Sequence, residues 1–141
     1  AVATDGMLWR PQLVDRTGLL NEIDHTLTPD AMSDIDTSDE IMAFLRDGLC
    51  GVTNRQGVGT AEHIFRNTPL QALGVGGKTG TAQSPGNAPS HAWFIGYAPI
   101  DQPQIAVIVM VENSGEGSAV AAPLTRDIMN AYFFGIEDDE T

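Results

Sequence analysis

The chain has 141 residues, with 19 acidic and 7 basic side chains and a formal net charge of −12. That balance excludes nucleic acid and an anionic lipid surface as partners, because affinity for either comes mainly from Lys and Arg on phosphates. The length and a hydrophobic content of 42% allow one soluble globular segment with a real core.

In chain order, Ala1–Asp5 reads as the stub of an element begun earlier, ending at Gly6. Met7–Arg16 predicts a short extended segment, with Pro11 limiting its pairing. Thr17-Gly18 is a turn signal. Leu19–Asp36, polar and interrupted by Pro29, predicts an irregular excursion over the surface. Thr37-Ser38-Asp39-Glu40 has the capping-box pattern. Ile41, Leu45 and Leu49 follow at helical spacing, which predicts an amphipathic helix of about three turns ending near Gly51. Cys50 is the single cysteine, so no intrachain disulfide exists; its apolar surroundings predict a small buried hydrophobe.

Asn54–Gly59 reads as loop, and Ala61–Leu73 is ambiguous because Pro69 discourages a long helix. Val75–Ser84 predicts an edge strand. Ser84-Pro85-Gly86-Asn87-Ala88-Pro89 is a connector, and Ala92–Ala98 is a strand apolar on both alternating faces. Ile105–Val111, seven apolar residues between turns, predicts a strand buried on both faces. Short connections make these three strands an antiparallel meander. Ser114-Gly115-Glu116-Gly117-Ser118 reads as a strand-to-helix turn. Ser118–Phe133 predicts a helix with Leu124, Ile128 and Ala131/Tyr132 on one face. Pro123 belongs in its first turn, so the regular helix is expected to begin only near Ala122. The fold class is α+β, an antiparallel three-strand sheet flanked by helices. The acids of 30–47 and the tail Glu137-Asp138-Asp139-Glu140 read as solvated surface.

The chemistry centres on Lys78, the only lysine, followed by Thr79, Gly80, Thr81, Ala82 and Gln83. On an edge strand, Lys-Thr-Gly makes an anion-recognition and peptide-docking strip. The ammonium fixes a positive charge, and the Thr hydroxyls can donate to a carboxylate. Gly removes a side chain where another backbone must approach, so an extended peptide can add to the strand edge. A surface lysine beside a turn has the same tripeptide, so on those three residues alone both readings stand. His25, His63 and His91 lack a metal-ligand pattern, and no metal or cofactor is expected. Trp93, Phe94 and Tyr97 read as core.

The longer string Gly77-Lys78-Thr79-Gly80-Thr81-Ala82-Gln83 resembles the third active-site motif of penicillin-binding-protein transpeptidases, closest to the class B type. His91–Pro99 resembles the strand that follows it there, and Gln104–Asn113 the next. Gly59-Thr60-Ala61 and Ala3–Val14 are also similar to recurring elements of that family. The resemblance implies a peptidoglycan D,D-transpeptidase at the extracytoplasmic face of the bacterial membrane, taking stem peptide or β-lactam. It implies that Lys78 supports the electrostatics and proton network, and that Thr79 and Thr81 bind the substrate carboxylate. It further implies that the Thr81 backbone N–H completes the oxyanion hole and that Gln83 lines the cleft.

The chain also departs from the family. No Ser has a Lys three residues on, and no Ser-x-Asn triplet occurs. An activated serine needs a base within reach, so the nucleophile is expected outside this chain, which reads as the C-terminal part of one transpeptidase domain. No initiator Met, signal peptide or transmembrane run is present, and any anchoring segment is expected upstream. The missing half of the domain, or a second copy meeting it along 104–113, is the expected partner, unless the chain's own Met7–Arg16 segment covers that strand. Two other readings remain: a fragment of a serine β-lactamase or D,D-carboxypeptidase, and a non-catalytic peptide-binding subunit.

Overall fold

The structure, a computed structural model, describes residues 1–19 and 22–135. The predicted acidic tail at 137–141 lies outside the described residues. A 3-10 turn at Val2–Thr4 opens the chain, and Asp5 and Gly6 after it take positive φ. Four short strands follow: β1 (Met7–Trp9), β2 (Arg16–Leu19), β3 (Glu22–Thr26) and β4 (Ala31–Asp34). β1 pairs antiparallel with β4, and β2 with β3. Between the two pairs, the Arg10 N–H donates to Asp30 O and the Leu27 N–H to Asp15 O, both at 2.8 Å.

The stretch predicted to be irregular is therefore a folded ribbon. Thr17-Gly18 is not a turn but the bulge within β2, and the extended segment stops at Trp9, before Pro11. β2 and β4 are exposed along their whole length. With no buried face, nothing selects an alternation of apolar and polar residues. The pairing rests on backbone hydrogen bonds that a sequence pattern does not record.

Helix α1 (Asp39–Asn54) begins one residue later than the capping box predicts. Ser38 is its N-cap and accepts the Ile41 N–H at 3.3 Å. Asp39 and Glu40 then fill the first turn, where the positive end of the helix favours them. The helix runs past Gly51 to Asn54 and buries a different stripe from the predicted one. Met42 and Thr53 are buried, with Arg46, Leu49 and Cys50 partly so, while Ile41, Phe44 and Leu45 are exposed. The polar members of the buried stripe are satisfied, which permits their burial. Arg46 donates to Val2 O at 3.0 Å and pairs with Asp5 at 2.6 Å, and the Thr53 hydroxyl donates to Val75 O. Cys50 is a free thiol, only partly buried.

The ambiguous stretch resolves into two single turns, α2 (Glu62–Phe65) and α3 (Leu70–Leu73). Asn67 with positive φ and Pro69 separate them. The predicted meander then appears as β5 (Gly76–Ala82), β6 (His91–Ala98) and β7 (Ile105–Val111), in spatial order β5-β6-β7. Helix α4 (Ala121–Phe134) closes the fold, with Pro123 in its first turn as expected. The α+β expectation holds.

One face of the meander carries the core. Ala92, Phe94, Ala98 and Val107 pack with Ala121, Ala122 and Met129 of α4, and with Ala61, Phe65 and Leu70. Phe65 and Phe94 stack with ring centroids 5.8 Å apart. Fully burying a side chain of this size contributes roughly 1.5–3 kcal/mol. Phe65, Leu70, Phe94 and Met129, all fully buried, therefore hold the fold where the exposed ribbon does not.

The other face of the sheet is covered at Tyr97, which is buried, and open beyond it. Trp93 lies opposite Met110 and Ile95 opposite Ile108, and all four are exposed, Ile108 by 65%. This corrects two expectations: Ile105–Val111 is not buried on both faces, and Trp93 is not core, although Phe94 and Tyr97 are. The same holds for α4, which buries Ala121, Ala122, Thr125 and Met129 and exposes Leu124, Ile128 and Tyr132. Nor does Met7–Arg16 cover the far edge of β7, since β1 is paired with β4.

Candidate functional site

The Lys78 strand is the edge of its sheet. β5 pairs with β6 on one side, and among the described residues no strand pairs with its other side. An edge strand with glycine at 76, 77 and 80 has little intrinsic rigidity, so its geometry must come from contacts. At its start, the Thr53 hydroxyl and the Asn54 amide both donate to Val75 O, tying the strand to the end of α1. In its middle, Gly117 lies against the backbone of the Gly80–Trp93 pair. A Cβ on Gly117 would collide with Trp93 O and Gly80 O. At its end, Ser84, His91 and Asn113 are hydrogen-bonded to one another.

Strand alternation sends Lys78 to one face and Thr79 and Thr81 to the other. Lys78 and Thr81 are exposed, Thr79 and Gly80 half-buried, and Gln83 lies exposed just past the strand. The Lys78 ammonium donates to Thr79 O at 2.7 Å. The hydroxyls of Thr60 and Thr79 are 3.0 Å apart. Thr60 also shares with Lys78 a hollow of about 220 Å3, lined further by Gly59, Arg55 and Val52. Gly59 makes this possible, because a Cβ there would strike the Gly51 and Val52 carbonyls at the end of α1. The predicted residues thus gather along one open strand edge, with Thr60 the addition that sequence reasoning had noted only as part of a recurring triplet. Nothing in its spacing from Thr79 signals the contact.

Behind the strand start lies a second hollow of about 350 Å3, between the N-terminal turn, Leu49 and the open sheet face at Gly76, Ile95 and Tyr97. The Tyr97 hydroxyl is buried and finds no hydrogen-bond partner among the described residues. Burial raises its pKa, opposed by the nearby Arg46 guanidinium. His25, His63 and His91 sit on β3, α2 and β6 and do not converge. Among the described residues no helix is long and apolar enough to cross a membrane.

Comparison with known proteins identifies the family. The penicillin binding protein transpeptidase domain matches over residues 1–130. Penicillin-binding protein 2B of Streptococcus pneumoniae is 31% identical over 93% of this chain and 20% of its own length. The peptidoglycan D,D-transpeptidase PbpA of Mycolicibacterium smegmatis is 31% identical over 89% of this chain and 26% of its own. The structure of penicillin-binding protein A from M. tuberculosis as a ceftriaxone acyl-enzyme complex superposes with a TM-score of 0.77 and 29% identity, covering 94% of this chain and 30% of that one. The chain therefore spans about a fifth to a quarter of the curated relatives it matches. On these grounds the chain belongs to the penicillin binding protein transpeptidase domain family.

Proposed function

We propose that this chain supplies the Lys-Thr-Gly wall of a class B type peptidoglycan D,D-transpeptidase, working outside the cytoplasmic membrane. The observation that carries the reading is the free outer edge of β5, which presents Lys78, Thr79, Gly80 and Thr81 along one strand. A stem peptide ending in D-Ala-D-Ala, or a β-lactam, adds to that edge with its carboxylate toward the Thr79 and Thr81 hydroxyls. Lys78 supplies positive charge to the developing anion and to the proton network. The Thr81 N–H donates to the oxyanion, and Gln83 lines the cleft. The serine nucleophile and its base belong to the longer protein, as these 141 residues contain no Ser-x-x-Lys and no Ser-x-Asn. The same longer protein supplies the membrane anchor and covers the open sheet face and the free edge of β7. The exposed apolar rows on that face, on α1 and on α4 support this, since monomeric proteins rarely leave such surfaces bare.

The test is fluorescent-penicillin labelling of the longer protein. Lys78→Ala is expected to lower the second-order acylation rate by about a hundredfold, the size of a lost electrostatic stabiliser. Thr79→Ser keeps the hydroxyl and is expected to cost far less. Equal losses for the two variants rule out this role for Lys78.

A further inference from the structure

We infer that His91 is a positioning residue for the oxyanion end of the motif strand, acting through Ser84 and Asn113. The inference rests on the reading of β5 given above and adds a residue to it.

Three side chains meet just past that strand. His91 lies opposite Ala82 in the β5–β6 ladder, next to the Thr81–Ala92 pair. Its Nε2 is 3.1 Å from the Ser84 hydroxyl, and its Nδ1 is 3.1 Å from the Asn113 backbone nitrogen. Ser84 Oγ also lies 2.9 Å from Asn113 Oδ1 and 2.7 Å from Pro89 O.

The donors fix the proton inventory. The Asn113 N–H has only a proton to offer, so Nδ1 accepts and carries none. The neutral ring then bears its proton on Nε2 and donates it to Ser84 Oγ. Ser84 in turn spends its single proton on Asn113 Oδ1 or Pro89 O. His91 therefore holds Ser84 and does not activate it: Nε2 has no free lone pair with which to take the serine proton.

The placement gives this holding a purpose. β5 is paired on one side only, so its last residues are where a ladder frays. Ser84 is one residue beyond Gln83 and three beyond Thr81, whose N–H must keep its direction to meet an oxyanion. No further ladder partner fixes that end. The side chains do, by joining the ends of β5, β6 and β7. Ser90 O adds backbone bonds from the Ser114 and Gly115 N–H groups, at 3.0 and 2.9 Å. Asn113 itself takes a positive φ, in the turn just past the end of β7.

Two measurements on His91→Ala, His91→Gln and Ser84→Ala test the inference. The first is amide hydrogen exchange of the longer protein. With the Thr81 N–H facing outward, the next N–H, that of Ala82, faces β6, and His91→Ala and Ser84→Ala are expected to speed its exchange by about 10-fold, the loss of one or two hydrogen bonds, with β7 unchanged. The second is β-lactam acylation of the longer protein. His91→Ala is expected to lower the acylation step by about 10-fold with little change in the preceding binding constant. His91→Gln, whose amide restores a donor to Ser84, is expected to stay within about 3-fold of the parent. Unchanged exchange at Ala82, or faster exchange spread evenly over the whole sheet, overturns the inference. So does an acylation rate that His91→Ala leaves untouched while Lys78→Ala lowers it. If Lys78→Ala also leaves acylation untouched, it is the reading of β5 itself that fails.

Discussion

The hydroxyl of Thr60, in the loop that follows α1, lies 3.0 Å from the hydroxyl of Thr79 on the motif strand. One of the two must donate. If Thr60 donates, the Thr79 proton is free for an incoming carboxylate, so Thr60 decides how the strand presents its hydroxyl. Thr60→Val in the longer protein is expected to lower β-lactam acylation about 3- to 10-fold, the worth of one hydrogen bond. Thr60→Ser, which keeps the hydroxyl, is expected to retain most of the rate. Stopped-flow acylation kinetics measure both, and equal losses would show that Thr60 matters only for packing.

Gly117 sets how closely the strand-to-helix connection approaches the back of β5. A methyl there meets two backbone carbonyls, Gly80 O and Trp93 O, and neither can turn aside. Gly117→Ala is expected to destabilise the chain by about 1–3 kcal/mol through overpacking. Gly48→Ala is the control, since nothing lies within 4 Å of its added carbon and the site is helical. It is expected to stabilise by about 0.5–1 kcal/mol. Urea unfolding of the two variants reads both signs.

Tyr97 links stability to alkaline pH. Burial raises its pKa, and the positive charge of Arg46 opposes the rise. The neutral phenol is the form the fold accepts. Its contribution is whole below the ordinary tyrosine value of about 10 and is lost as pH climbs through the higher folded value. Tyr97→Phe is expected to flatten that alkaline decline. Because the hydroxyl finds no hydrogen-bond partner among the described residues, the substitution is expected to change stability at neutral pH by less than about 1 kcal/mol. Thermal unfolding at pH 7 and above pH 10 separates the two effects.

Without the rest of the domain, this chain is expected to form no covalent adduct with benzylpenicillin, because it holds no activated serine. Intact-mass spectrometry reads the adduct directly, and a stoichiometric one on any serine contradicts the placing of the nucleophile outside these residues.

Among the described residues no strand pairs with the outer edge of β7, and with the exposed row of Trp93, Ile95, Ile108 and Met110 this makes self-association of the isolated chain the expected outcome. Sedimentation velocity is expected to show oligomers that Ile108→Lys weakens by about 10-fold or more without loss of folded protein. A monomer at every concentration would contradict that expectation.

The sequence by itself determined the meander, the two long helices and the residues proposed to carry the chemistry. The meander was legible because 91–98 and 105–111 are apolar runs of strand length between turns, and the two long helices because their spacing is helical. Lys78 to Gln83 was legible as a unit because a lone lysine in an acidic chain stands before Thr-Gly. Only the tertiary structure decided which face each element buries. Ile41 and Leu45 were predicted to face inward, yet Met42 and Thr53 do, because Val75 O and the N-terminal turn satisfy the polar neighbours on that side. Leu124 and Ile128 were predicted as the inner stripe of their helix, yet Thr125 and Met129 are the buried ones, Met129 in the core cluster with Phe94. A periodic pattern tells that a helix has an apolar face, but burial depends on what lies opposite, and that is set by residues far away in the chain. The same reason hid Thr60 from Thr79 and Ser84 from Asn113. Hydrogen bonds across 19 and 29 residues leave no periodicity to read: the packing of α1 on β5 brings Thr60 to Thr79, and the register of β5, β6 and β7 brings Ser84 to Asn113.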